Sequence, residues 1–359
     1  MILDLFTEIL KNLIPRYKGK KMKIPHPIQY QGSKRNLAPA ILKYLPEKIE
    51  RIVEPFAGTG AISIACASAG ISKKYWLNDF NRPLSQLLEL MINHPDELSS
   101  FYDELWNQQH PDSIAHYYKV REEFNRTGHP KLFLYLLSRC VKGSVRYNNE
   151  GHFNQSPDKR RKGAKPQNMR KNISGVSLLM KNRAAVSSLD YKEMLPHIKS
   201  TDLVYMDPPY QGVCKKRDNR YYSSIDHGEF IFFLAELNRK KTPYLISYDG
   251  KCGDKKYGDF LPDSLRLKRI ELEAGRSSQA TLLGKKEITF ESLYLSESLL
   301  KMIEIEPENY KKRRCEPASL FTLREWGSGG LNILEKPKNT ALYCGLTWSE
   351  GQPPHRNLL

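Results

Sequence analysis

The chain reads as an α/β protein: a mixed, mostly parallel sheet with helices on both faces. Three stretches predict it. The first is Arg51-Ile52-Val53-Glu54-Pro55-Phe56-Ala57-Gly58-Thr59-Gly60, a strand running into a glycine turn, then the small-residue helix Ala61 to Ala69 capped by Gly70. The second is Lys73 to Leu77, a strand ending at Asn78-Asp79, with Asp79 lying 19 residues beyond Gly60. The third is the apolar run Leu203-Val204-Tyr205-Met206, a short buried parallel strand stopped abruptly by Asp207-Pro208-Pro209-Tyr210.

Length and charge bound the answer. A chain of 359 residues can bury a full core, with one large domain and a smaller insert as the natural division. Lys and Arg number 57 against 40 Asp and Glu, a formal charge of +17. Such an excess points to a polyanion, most often nucleic acid, rather than to a merely basic surface. No run of 18 apolar residues offers a membrane span. Residues 2–14 are apolar at helical spacing, but Asp4 and Glu8 interrupt them and Lys18, Lys20, Lys21 and Lys23 follow, the reverse of a signal peptide. The cysteines at 66, 140, 214, 252, 315 and 344 form no CxxC pair and no metal-ligand spacing, so a reduced, cytoplasmic protein without metal is expected.

Before the first strand, Gln29-Tyr30-Gln31-Gly32-Ser33-Lys34-Arg35 is a loop feeding an apolar helix (Leu37, Ile41, Leu42). Such a loop suits a carboxylate or phosphate, or simply opens a helix. Asp79 sits where nucleotide folds place the acid that holds ribose hydroxyls; equally, Asn81-Arg82-Pro83 opens a helix that Asp79 could cap. The glycine turn upstream favours the ribose role. Residues 84–141 are helical in period, and most of their apolar positions are core.

Then the pattern breaks. Arg139, Lys142, Arg146-Tyr147-Asn148-Asn149 and Phe153-Asn154 lead into Lys159-Arg160-Arg161-Lys162, and seven of the thirteen residues from 159 to 171 are basic. A basic loop without apolar period suits phosphate tracking, and Arg and Asn suit base edges, although a solvated charge run would read the same way. Beyond it, Ala184 to Ser188 leads to Asp190-Tyr191, an acid and an aromatic at a strand end. Past the Asp207-Pro208-Pro209-Tyr210 turn, Lys215 to Arg217 and Arg220-Tyr221-Tyr222 form a basic, aromatic loop. A helix Glu229 to Asn238 and strands Pro243 to Asp249, Leu267 to Glu273 and Glu287 to Leu295 close the core.

Asp207-Pro208-Pro209-Tyr210 has a chemical reading. Fixed φ at two prolines sends the chain out of the sheet as a stiff turn, holding a carboxylate, a carbonyl and a ring at the sheet's carboxyl edge. That suits methyl transfer to an exocyclic amino group conjugated with an aromatic ring. The Asp207 carboxylate and the Pro208 carbonyl can accept its two hydrogens and draw the nitrogen towards tetrahedral geometry, while Tyr210 stacks on the ring.

The motif resembles that of amino-group DNA methyltransferases, and the order of motifs over residues 28–297 resembles the Dam-type, alpha-class (D12) adenine N(6)-methyltransferases. Tyr30 and Lys34 fall in the N-terminal cofactor motif of that family, which usually has Trp at the first place and a second Gly where Ser33 stands. Arg-Tyr-Asn, Gly, Phe-Asn resembles its DNA-recognition segment, although its Val-Pro-x-Gly continuation is here Gln155-Ser156-Pro157. Asp before the prolines, rather than Ser, leans towards adenine over cytosine.

The resemblance implies a Rossmann-like S-adenosylmethionine (SAM)-dependent methyltransferase fold with a seven-stranded sheet at 28–87 and 183–298, and an inserted small helical DNA-recognition domain at 88–182. Residues 1–27 and 299–359 are then terminal extensions. Tyr30, Lys34, Glu54, Phe56, Ala57, Gly58, Gly60, Asp79, Asp190, Tyr191 and Asp207 would bind the cofactor; Asp207, Pro208, Pro209 and Tyr210 would be catalytic. Arg139, Arg146, Tyr147, Asn148, Asn154, Lys159, Arg160, Arg161, Lys162, Arg220, Tyr221 and Tyr222 would meet duplex DNA and extrude an adenine. A bacterial restriction-modification system, with a cognate endonuclease, is the implied setting. An RNA adenine methyltransferase and a non-catalytic SAM- or DNA-binding subunit are the alternatives.

Overall fold

In a computed structural model, the chain is described over residues 24–209, 225–252, 255–257, 260–276 and 288–304. The strands are β1 (Ile49–Glu54), β2 (Ser72–Asn78), β3 (Ala184–Ser187), β4 (Asp202–Met206), β5 (Tyr244–Cys252), β6 (Lys255–Tyr257), β7 (Lys268–Arg276) and β8 (Ile288–Leu295). Seven of them lie in the order β3-β2-β1-β4-β5-β8-β7, with the short β6 hairpinned onto β5. The first five run parallel, while β8 pairs antiparallel with β5 and β7. The fold is the predicted mixed, mostly parallel α/β sheet, with β6 as an unpredicted eighth strand.

Alternation along β4 explains why its apolar run is unbroken. Leu203 and Tyr205 enter the core on one face, and Val204 and Met206 enter a second core on the other. Helices cover both faces, so neither set of side chains meets water. On the second face lies α9 (His227–Arg239), through Phe230, Phe233, Leu234 and Leu237. It begins before the predicted Glu229 because Asp226 caps it, accepting from the Glu229 amide at 2.9 Å. At the amino edge of the sheet, Arg51 donates to both oxygens of Asp202 at 2.9 and 2.6 Å, a fork that locks β1 to β4.

The first face carries α2 (Ala61–Ala69) and the helices between β2 and β3. These are α3 (Arg82–Asn93), α4 (Pro95–Gln108), α5 (Ser113–Thr127), α6 (Pro130–Arg139) and α7 (Pro166–Met180); α1 is the short Ala38–Ile41. Proline in the first turn of α3, α4, α6 and α7 explains where the long helical period divides. The same apolar core continues from Ile52 and Leu203 into Tyr117, Phe124 and Phe133, with Phe124 and Phe133 stacked 4.9 Å apart. After the Gly32 loop, the single apolar helix expected is instead α1 between two 3-10 turns, Lys34–Asn36 and Leu42–Tyr44. No helix among the described residues is long and apolar enough to cross a membrane.

Candidate active site

Strand order turns around between β1 and β4: the chain goes outward to β2 and β3 on one side and returns through β4 and β5 on the other. Crevices at such switch points receive ligands in open α/β sheets. Here the carboxyl ends of β1, β2 and β4 border a cavity of about 400 Å³. Tyr30, Lys34, Glu54, Phe56, Ala57, Gly58, Asp79, Asp190, Tyr191, Asp207, Pro208 and Pro209 all line it. Gly60 stands behind the turn, and Tyr210, Arg220, Tyr221 and Tyr222 lie outside the described residues.

After β1 the backbone turns through Gly58 (φ 53°) and Gly60 (φ 64°), conformations that cost a side chain. A Cβ on Gly60 would stand 3.4 Å from a Leu77 methyl, an ordinary contact, so the positive φ rather than crowding calls for glycine there. Glu54 is buried at the end of β1, where it accepts from the Ser63 amide in the first turn of α2 at 2.5 Å. Burial pushes its carboxyl up to about 7; the Ser63 hydrogen bond opposes this, and the nearby Asp207 charge adds to it.

Asp79 follows β2 and accepts from the Gly58 amide at 2.8 Å and the Asn81 amide at 2.9 Å. It therefore braces the glycine turn and opens α3 while still facing the cavity. Burial lifts it to about 6 against those two bonds. Asp190 accepts from the Lys192 amide at 2.9 Å, and Glu193 accepts from the Asp190 amide at 2.9 Å, a capping box on α8 (Tyr191–Met194). Phe56 and Tyr191 form an aromatic wall with centroids 5.2 Å apart. The Tyr191 hydroxyl is buried with no hydrogen-bond partner among the described residues.

At the end of β4, Asp207 keeps 22% of its side chain exposed. Lys34 Nζ lies 2.9 Å from its Oδ1 and 3.2 Å from Oε2 of Glu291 on β8. Burial raises the Asp207 carboxyl to about 6; Lys34 draws it down and Glu291 pushes it up. Glu291, Phe80, Asn81 and Glu229 also line the cavity and were missed in the sequence. Glu291 had one signal: a charge inside the strand Ile288-Thr289-Phe290-Glu291-Ser292-Leu293, where an apolar pattern prevails.

The basic stretch sorts into two populations. Tyr147 pairs with Phe153 across a hairpin, and both turn inward. Arg146 and Asn154 point out on the same hairpin, and Lys159, Arg160, Arg161 and Lys162 are exposed. Arg139 and Tyr147, expected at a DNA surface, are corrected. Arg139 is 1% exposed and donates to the carbonyls of Asp158 (3.2 Å) and Ser113 (3.3 Å), which makes it a strut under the loop. The Tyr147 hydroxyl donates to Asn81 at 3.3 Å. Asn148 is half-buried, and its side chain accepts from the amides of Glu150 (3.1 Å) and His152 (2.8 Å), closing the hairpin tip. The base of the hairpin meets the cavity loop: the Gln31 amide donates to Gly143 at 3.0 Å, and a Cβ on Gly143 would stand 2.7 Å from the Gln29 carbonyl.

Comparisons with known proteins give the chain's family. The family description "D12 class N6 adenine-specific DNA methyltransferase" matches residues 30–303. The type II methyltransferase M.MjaIII of Methanocaldococcus jannaschii is 28% identical over 61% of this chain and 82% of its own length. The type II methyltransferase M1.LlaDCHI of Lactococcus lactis subsp. cremoris is 28% identical over 72% of this chain and 91% of its own. The retron Ec67 DNA adenine methylase of Escherichia coli is 26% identical over 71% of this chain and 88% of its own. With three quarters of its length inside the match, the chain belongs to the D12 class of N6 adenine-specific DNA methyltransferases.

Proposed function

We propose that the protein transfers a methyl group from SAM to the exocyclic amino group of an adenine flipped out of duplex DNA. The observation that carries this is Asp207, held by Lys34 at the lip of a cavity whose floor is the β1 glycine turn. The cavity fits the cofactor's charge. Among the described residues, Glu54, Asp79, Asp190, Asp207, Asp226, Glu229 and Glu291 line it against Lys34 and Lys192, an acidic interior in a chain of +17. A sulfonium and an ammonium group are favoured there, as basic ligands would not be elsewhere on this surface.

Asp79 retains lone pairs for ribose hydroxyls, Phe56 and Tyr191 would flank the adenine of the cofactor, and Asp190 would accept from its amino group. When bound, SAM supplies an already activated methyl group. The chain's own task is then positioning and charge placement. Asp207 and the Pro208 carbonyl would accept from the target amino group and Tyr210 would stack on its ring; as the nitrogen gains the methyl the donor would be left as S-adenosylhomocysteine, and the surplus amino proton would pass to solvent. Residues 88–182 would read the DNA, with Arg146, Asn154 and Lys159 to Lys162 on the exposed side. The role of the methylation would be protection against a cognate restriction endonuclease.

The test is incubation of the protein with SAM and unmethylated bacterial DNA, followed by sequencing of modified bases. N6-methyladenine in one short motif is the expected product. N4-methylcytosine, methylation of ribosomal RNA only, or no product despite SAM binding would each replace this reading with the corresponding alternative. For the basic run, Arg161→Ala should weaken duplex affinity roughly fivefold near 0.15 M salt and lower the salt slope by about 1. Unchanged affinity and slope in a fluorescence-anisotropy titration would return this run to the solvated surface.

A further inference from the structure

Resting on that reading, we propose that Glu291 is a positioning residue for methyl transfer: through Lys34 it forms a three-member ion chain that holds the Asp207 carboxylate at the target amino group. The three members come from separate elements, the Gly32 loop, the end of β4 and the middle of β8. Lys34 is only 6% exposed, so its ammonium depends on both carboxylates for the interactions that water would otherwise give. Lysine carries a compact charge on a flexible stem. Asp207 at 2.9 Å and Glu291 at 3.2 Å hold the ammonium from two directions, so Glu291 limits how far it can follow a rotation of the Asp207 carboxylate.

The sheet is shaped to deliver Glu291 to this place. It stands opposite Gly250 of β5, beyond a bulge that follows Ser247. A Cβ on Gly250 would lie 2.6 Å from the Phe290 carbonyl, so the approach of β8 here requires glycine. A charge placed mid-strand beside a glycine-dependent close approach is costly to fold around, and the ion chain accounts for both features together.

Among the described residues, the charged and titratable groups facing Asp207 are Lys34, Glu291, Glu54 on β1 and Tyr205 on β4. Lys34 favours its ionised form and Glu291 opposes it, which separates positioning from simple structural support. The experiment measures kcat against pH and KM for SAM in the full-length protein, with duplex DNA saturating, for wild type, Glu291→Gln and Lys34→Met. We expect Glu291→Gln to lower kcat about tenfold at pH 8 through the looser carboxylate, with little change in KM. Its acid limb should move to lower pH, because the opposing charge is gone. Lys34→Met should move the acid limb to higher pH. Wild-type kcat and an unmoved limb in Glu291→Gln, or an effect confined to KM for SAM, would overturn the inference while leaving the proposed function standing. A wild-type protein that methylates no adenine in DNA would instead overturn the proposed function itself.

Discussion

Asp207→Ala is expected to lower kcat at least about a thousandfold, the scale of removing a preorganised group aimed at developing charge. The lone pair of an amino group on adenine is delocalised into the ring, so the nitrogen attacks poorly until its hydrogens are held out of the ring plane. A carboxylate is the stronger of the two acceptors proposed for that task. Alanine removes it and leaves the Lys34 ammonium, still paired with Glu291 at 3.2 Å, beside the reacting nitrogen as positive charge builds there. Both changes oppose the same transition state. Because burial raises the Asp207 carboxyl only to about 6, it is ionised above neutrality, and the loss should be greatest there. DNA affinity should stay within about threefold, since the exposed basic residues at 159–162, proposed to meet DNA, are untouched. Single-turnover methylation and an anisotropy titration on the same preparation check both halves. A variant with near-normal turnover would remove Asp207 from the chemistry.

What could be read in the sequence was whatever local backbone chemistry dictates. Gly58 and Gly60 mark a tight turn that takes positive φ, two prolines mark a strand's end, and Pro83 marks a helix start. These are decisions within a few residues, and the structure follows them. What could not be read depends on contacts distant in the chain. Arg139 and Arg146 look alike as letters, yet one ends a helix facing the core and the other alternates outward on a hairpin. Glu291 reaches Lys34 across 257 positions of sequence, and only the return of β8 beside β5 brings them together. β6 is too short, at three residues, to establish a period of two. Asp79 shows the two regimes at once: its place after β2 is evident from spacing, while its grip on the Gly58 amide needed the fold.

Glu54→Gln is expected to stabilise the protein without cofactor at pH 8 by on the order of 3 kcal/mol, and to do so only above the carboxylate range. Glu54 is 2% exposed, and its folded carboxyl lies near 7 against an ordinary 4.5. The folded state therefore holds a proton that the unfolded chain has already released. Stability is fully present below about 4.5, declines as pH rises through that window, and remains lost above about 7. Glutamine is neutral throughout and still offers an oxygen to the Ser63 amide, so the α2 contact survives. Thermal unfolding of the two proteins should coincide near pH 4.5 and separate towards pH 8. The same charge suggests a use: an ionised Glu54 beside Asp207 is unfavourable, and a bound cation would offset that repulsion. SAM should accordingly bind wild type more tightly as pH rises through 7, and Glu54→Gln should lose that dependence along with affinity, as calorimetry at two pH values would show. A Glu54→Gln variant no more stable at pH 8 than wild type would mean that burial does not raise the Glu54 carboxyl to about 7 in the folded protein.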